Sequence, residues 1–270
     1  NMAKKLMIML LALVLVMGTL VMANASAETM GLGAYTVLAS VESAYEEDGD
    51  AYDGNITVET TTCTVGLGEG NVIKNIRFDM NLGNPTAENM DGVHVDGGCR
   101  YGCIRNVQGT CYDDIVALNA DDCYDGPISN IEIDGVFGEN SLRGVPLLST
   151  RSPITNVTVS NVFGTFYQNC VVLAYFYPHI GTRGKMSHIT FRNIHGSNAP
   201  RRPEYCKGDN SHYFFSYIWV DDDIDVDHLT VDGLYRDEPI GSVETFKICK
   251  GAKIHTLSLS NILHQNRVGK

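Results

Sequence analysis

Basic residues are scarce in this chain. Against 32 aspartates and glutamates stand 20 lysines and arginines, for a formal net charge of −12. Nucleic-acid binding rests on Lys and Arg neutralising phosphates, so no nucleic-acid partner is expected. Long apolar runs are also few. One spans Leu6 to Met22, behind Lys4 and Lys5 and ahead of the small residues Ala23-Asn24-Ala25-Ser26-Ala27. A basic, an apolar and a small-residue stretch in that order read as a secretory signal peptide over 1–27, with an uncleaved membrane anchor as the competing reading. No second run of that length follows, so the chain is expected to be secreted and extracellular, with no membrane contact after signal cleavage. Cysteines 63, 99, 103, 111, 123, 170, 206 and 249 lack the paired CxxC spacing of a zinc site. In an exported chain they permit disulfides, and buried thiols are the alternative.

What the sequence has in abundance is one repeated phrase. It occurs as ISNIEIDGV (128–136), ITNVTVSNV (154–162), MSHITFRNI (186–194), VDHLTVDGL (226–234) and IHTLSLSNI (254–262), with weaker copies at 72–80 and 101–109. Apolar and polar residues alternate in each copy, the pattern of a strand with one buried face. Successive clear copies start 26, 32, 40 and 28 residues apart. A fixed phrase at an irregular step means coils of one type carrying loops of varied length, and the predicted fold is all-β, a single-stranded parallel β-helix. A β-propeller blade needs four strands, for which most of these steps are too short.

Between the copies lies a second strand type: VHV (93–95), IVAL (115–118), VPLL (145–148), CVVLA (170–174), YIWV (217–220) and ETFKI (244–248). Asn130, Asn156, Asn161, Asn193 and Asn261 recur near strand ends, where asparagine tolerates a left-handed turn. The β-helix is placed at 56–270, after a capping segment at 28–55. Loops at 178–185 and 199–208 carry clustered positive charge and are expected to wall a groove.

The most informative stretch is 89–119, NMDGVHVDGGCRYGCIRNVQGTCYDDIVALN. Laying Val93 over Val116 and Val95 over Leu118 puts Asp91 over Asp114, with Asp113 beside them. Stacked strands lie about 4.8 Å apart, so three carboxylates would gather within about 5–10 Å. Strict alternation would turn Asp91 and Asp114 inward, and an unpaired buried carboxylate is costly. Both are therefore expected at bends that open onto a groove. Gly92 suits such a bend.

NMDG, followed one coil later by YDDIVAL, resembles the NTD and DD motifs of glycoside hydrolase family 28, the polygalacturonases and related pectin-degrading enzymes. The likeness covers roughly 56–262, with the specific motifs confined to 89–119. It implies a right-handed parallel β-helix, a pectin lyase-like solenoid, and inverting hydrolysis without metal or cofactor. By motif, Asp113 would be the general acid, and Asp91 with Asp114 would hold and deprotonate the attacking water. An inverting pair stands about 6.5–9.5 Å apart to admit that water, and stacked carboxylates help keep one carboxyl protonated.

The chain departs from the family pattern at two places. Arg143 stands where a GHG histidine is expected, and no Arg–Lys pair follows in CVVLAYFY to grip a substrate carboxylate. Candidate substitutes are Arg143, through its planar fork, and Tyr175, Tyr177 and Trp219, whose rings could stack on sugar faces. His94 has outward parity beside Asp91. Structural readings stand beside each of these: an ion pair for Arg143, core packing for the rings, plain exposure for His94. Arg183, Lys185, Arg201 and Arg202 are further loop cations. The acidic runs 120–126 and 220–227 offer oxygen ligands to calcium, but neither follows an EF-hand spacing. The expectation is a monomeric hydrolase of pectic or related plant polysaccharide, with a non-catalytic carbohydrate-binding β-helix and a calcium-using polysaccharide lyase as alternatives.

Overall fold

A computed structural model describes residues 39–41, 48–49, 56–58, 63–65, 72–79, 91–111, 113–122, 124–177, 180, 183–199, 216–238 and 244–266. The signal-peptide reading at 1–27, most of the capping segment, and Arg201 and Arg202 lie outside these residues. Among the described residues there is no helix.

The strands are β1 (Ala39–Val41), β2 (Asp48–Gly49), β3 (Ile56–Val58), β4 (Cys63–Val65), β5 (Val72–Asp79), β6 (Val93–Asp96), β7 (Cys103–Thr110), β8 (Val116–Asn119), β9 (Ile128–Leu148), β10 (Ile154–Ala174), β11 (Gly184–Asn198), β12 (Ile218–Val220), β13 (Ile224–Glu238), β14 (Phe246–Ile248) and β15 (Lys253–Asn266). They form two parallel stacks. The repeated phrase makes one, in the order β3, β5, β7, β9, β10, β11, β13, β15. The second strand type makes the other, running β4, β6, β8, the C-terminal ends of β9 and β10, then β12 and β14. The molecule is a parallel β-helix, as the repeats predict. At the N-terminal end β1 lies antiparallel on both β4 and β2.

Parity explains the core. Ile131, Val157, Ile189 and Leu229 fall in one column of the stack, and Ile133, Val159, Phe191 and Val231 in the next. All are buried, each contributing about 1.5–3 kcal/mol of apolar burial. On the last described rung the same columns have no neighbour beyond them among the described residues, and Leu259 is 47% exposed.

The recurrent asparagines turn the corners. Asn130, Asn156, Asn161, Asn193 and Asn261 have φ between 52° and 58°, a conformation that only glycine and asparagine adopt cheaply. Their side chains form a ladder: Asn156 donates to Asn130, Asn193 to Asn161, and Asn161 to Asp134. A second clamp is Asp121. Its carboxylate accepts the amides of Thr150 at 2.8 Å, Arg151 at 2.8 Å and Ser152 at 2.9 Å, joining the turn after β8 to the one after β9. Burial opposes the charge, yet those amides hold the carboxyl pKa below the ordinary range. Asp121 is thus committed to joining two turns, the ordinary structural use of an acidic turn residue.

Candidate functional site

The register at the aspartates is the one read from the sequence. Val93 lies on Val116 and Val95 on Leu118. Gly92 donates its amide to the Asp114 carbonyl at 2.7 Å, and Asp114 donates its own to Asp91 Oδ1 at 3.0 Å. A side chain at position 92 would meet the Ile115 carbonyl at 2.6 Å, so glycine is what lets the two rungs close up here. Arg143 bridges to Asp114 on the following rung, and Asn169 lies on Arg143 beyond it. The bend therefore carries a column of polar groups just before each strand of the second stack.

Asp91, Asp113 and Asp114 each offer an oxygen within 4.8 Å of the others. Asp91 and Asp114 are more enclosed than groove-edge residues were expected to be, at 6% and 4% exposure. Asp113 is the half-buried one. All three line a cavity of about 300 Å³ with His94, Asn119, Asp122, Arg143, Phe176 and Tyr177.

The oxygens differ in what they do. Asp91 Oδ1 accepts the Asp114 amide and Oδ2 accepts from His94 Nδ1 at 2.7 Å, so neither is idle. Asp114 Oδ2 lies 3.4 Å from Arg143 Nη1, while its Oδ1 is buried and accepts no hydrogen bond. Burial raises the Asp114 carboxyl to about 7, with Arg143 pulling it down and Asp91 pushing it up. Burial, then the charges of Asp114 and Asp91, push Asp113 well above the ordinary carboxyl range. Burial thus opposes the charge on both Asp113 and Asp114, and Asp114 Oδ1 accepts no hydrogen bond.

The spacing is tighter than expected. Oxygens within 4.8 Å of one another make a closer cluster than the roughly 6.5–9.5 Å separation expected of an inverting pair of carboxyl groups.

Arg143 is both cavity wall and ion pair. Beyond Asp114 it donates from Nε to Gln168 at 3.0 Å. His94 meets three carboxylates: Asp91, Asp96 at 3.2 Å and Asp122 at 3.4 Å. Although burial works against its charge, Asp122, Asp91 and Asp96 together hold the imidazole proton well above its usual range. Tyr177 sits against Asp122, and burial followed by that carboxylate pushes its phenol up to about 12. Trp219 lines an adjoining cavity of about 230 Å³, which shares Arg143, Leu148 and Phe176 with the first. Lys247 lies 4.8 Å from the Trp219 ring.

Tyr175 takes the packing alternative: half-buried, it packs against the core and lines neither cavity, because it shares inward parity with Val171 and Leu173. Arg183 is taken up by the Gly251 carbonyl at 3.0 Å, and Lys185 is exposed. Sequence reasoning missed Phe176, 48% exposed and common to both cavities, and Asp96, Asn119 and Asp122. For Asp96 a signal existed, since it shares the outward parity of His94. Metal-capable groups among the described residues are His94/Asp96/Asp122, Asp91/Asp113/Asp114 and Asp221/Asp222/Cys249. Comparison with models of known protein families, with curated proteins and with solved structures gives no match.

Proposed function

We propose that this chain is an exported glycoside hydrolase of the family 28 kind, acting on pectic or related plant polysaccharide by acid–base hydrolysis. The observation that carries the reading is the meeting of Asp91, Asp113 and Asp114 from consecutive rungs in one open cavity. Asp113 is the general acid, since burial and two neighbouring carboxylates keep its proton on. Asp114 is the base: it lines the cavity, and its Oδ1 accepts no hydrogen bond from the protein. Asp91 orients the pair: its oxygens are held by the Asp114 amide and by His94.

A polymer fits better than a single sugar. The outward column of the second stack runs from His94 through Ala117 to Val172 and Trp219, some four rungs of about 4.8 Å each. Leu148, Val172 and Ala174, themselves buried, pack against the half-buried Trp219 along it, and an indole ring is the kind of surface a sugar face covers. A non-catalytic carbohydrate-binding β-helix is the second reading, favoured by the low exposure of Asp91 and Asp114.

The test is reducing-sugar release by purified protein from pectic, galactan and rhamnogalacturonan substrates. Release is expected from the wild type and not from Asp113→Asn. Full activity in that variant overturns the assignment. Oligosaccharide binding without turnover selects the binding reading, and unsaturated, ultraviolet-absorbing products lost on chelation select a lyase. Proton NMR of the first-formed anomer decides between inversion and retention.

A further inference from the structure

His94, Asp96 and Asp122 sit beside the carboxylate cluster, and neither acid–base role uses them. His94 Nε2 lies 3.2 Å from Asp96 Oδ1 and 3.4 Å from Asp122 Oδ2, yet it is aligned for a hydrogen bond with neither. Nε2 and Asp96 Oδ1 are both buried atoms without a hydrogen-bond partner. Asp96 is only 1% exposed. Asn119, stacked on Asp96 in the register and 3% exposed, has a buried Oδ1 that also accepts nothing. Such orphaned acceptors are rare and ask for an explanation. An ion held among these atoms supplies one.

We propose that His94 Nε2, Asp96 Oδ1 and Asp122 Oδ2 bind a first-row divalent transition ion of the Zn²⁺ or Mn²⁺ kind. The three ligand atoms lie within 4.8 Å of one another, close enough to share one ion. His94 is already oriented for the task. Its Nδ1 is committed to Asp91 Oδ2 at 2.7 Å, the carboxylate–histidine arrangement that fixes the tautomer and turns Nε2 toward a metal.

Charge points the same way. Asp91, Asp96 and Asp122 surround one imidazole, and burying several carboxylates around a single cation is costly. A divalent ion on neutral His94 balances Asp96 and Asp122. The imidazole nitrogen selects against Ca²⁺ and Mg²⁺, which take oxygen ligands. His94 and Asp122 line the same cavity as Asp113, so the ion's remaining coordination positions face it. Asp122 Oδ2 also accepts from Asn119 Nδ2 at 3.4 Å, while the Asp221/Asp222/Cys249 group carries no such case, because it holds no buried atom without a partner. The proposal stands independently of the hydrolase reading.

Equilibrium dialysis of the purified full chain against ZnCl₂ and MnCl₂, with CaCl₂ as the oxygen-preferring control and metal content read by mass spectrometry, tests it. One Zn²⁺ or Mn²⁺ per chain is expected. His94→Ala removes it, the near-isosteric Asp96→Asn weakens it at least about tenfold, and Asp91→Asn weakens it about 10- to 100-fold, as outer partners of ligating histidines do. Far-ultraviolet circular dichroism checks that each variant keeps its strand content. If His94→Ala does not fold, Asp96→Asn decides. No stoichiometric Zn²⁺ or Mn²⁺ in the wild type, binding of Ca²⁺ alone, or affinity undiminished in the folded variants overturns the proposal.

Discussion

Replacing Arg143 with glutamine tests how the site sets its working pH. Arg143 Nη1 lies 3.4 Å from Asp114 Oδ2, a separation at which two unit charges attract by about 5 kcal/mol in an effective dielectric of about 20. Desolvation of both partners takes back much of that. An arginine beside an aspartate typically changes its acid dissociation constant by about 10- to 1000-fold. With Arg143 in place the Asp114 carboxyl stands at about 7. The variant moves it upward by that factor, because the interaction lost is one that favoured the charged form. A base must be ionised to act. At about pH 6 the ionised fraction of Asp114, and with it kcat/KM on a pectic substrate, is expected to fall about 10- to 1000-fold. The rising limb of the pH–rate profile moves alkaline, so much of the loss is recovered at higher pH. Infrared titration of the carboxyl band in wild type and Asp114→Asn, with and without Arg143→Gln, gives the same answer without a substrate. A rising limb and a carboxyl titration that both stay in place refute the electrostatic role of Arg143 and the assignment of Asp114 as base.

Two further outcomes concern stability. The Asp113 pKa is raised in the folded chain, so its contribution is fully present below the ordinary carboxyl value of about 3.9 and is lost as pH rises through the folded value. Asp113→Asn, which mimics the protonated form, is therefore expected to gain urea resistance relative to wild type as the solution is made alkaline; an equal alkaline loss in both proteins refutes this. Asp121→Ala strips the acceptor from three amides and is expected to cost about 3–5 kcal/mol in urea unfolding at neutral pH. Because the Asp121 carboxyl is held below its ordinary value, the difference from wild type should shrink as pH falls through that lowered value. A cost under about 1 kcal/mol would mean that water replaces the clamp.

The fold was legible because period and parity are local. Val93 over Val116 followed from matching apolar positions, and the asparagine corners followed from the backbone angles that residue tolerates. Alternation carried past the end of CVVLA also explains why Tyr175 packs against the core. What alternation does not reach is the bend. Asp91, Asp113 and Asp114 sit where the period breaks, so their enclosure depends on Gly92 admitting the neighbouring rung and on Arg143 arriving from the one after. Phe176 and Asp122 stand just beyond strand ends, where no periodic rule aims a side chain. Asp122 was masked further by Asp121: two adjacent aspartates in one turn, of which one is bound by amides and the other faces the cavity.

Because the rungs are hydrogen-bonded, the spacing between the aspartates is a property of the backbone pitch and not of the number of residues between them. Lengthening the chain between Asp96 and Asp113 at a corner would therefore leave the chemistry untouched. A single residue inserted between Val93 and His94 would instead turn His94 and Asp96 into the interior and Val95 onto the cavity wall. Tolerance to insertion along this chain should thus be sharply two-valued, permissive at corners and nil within the short strands.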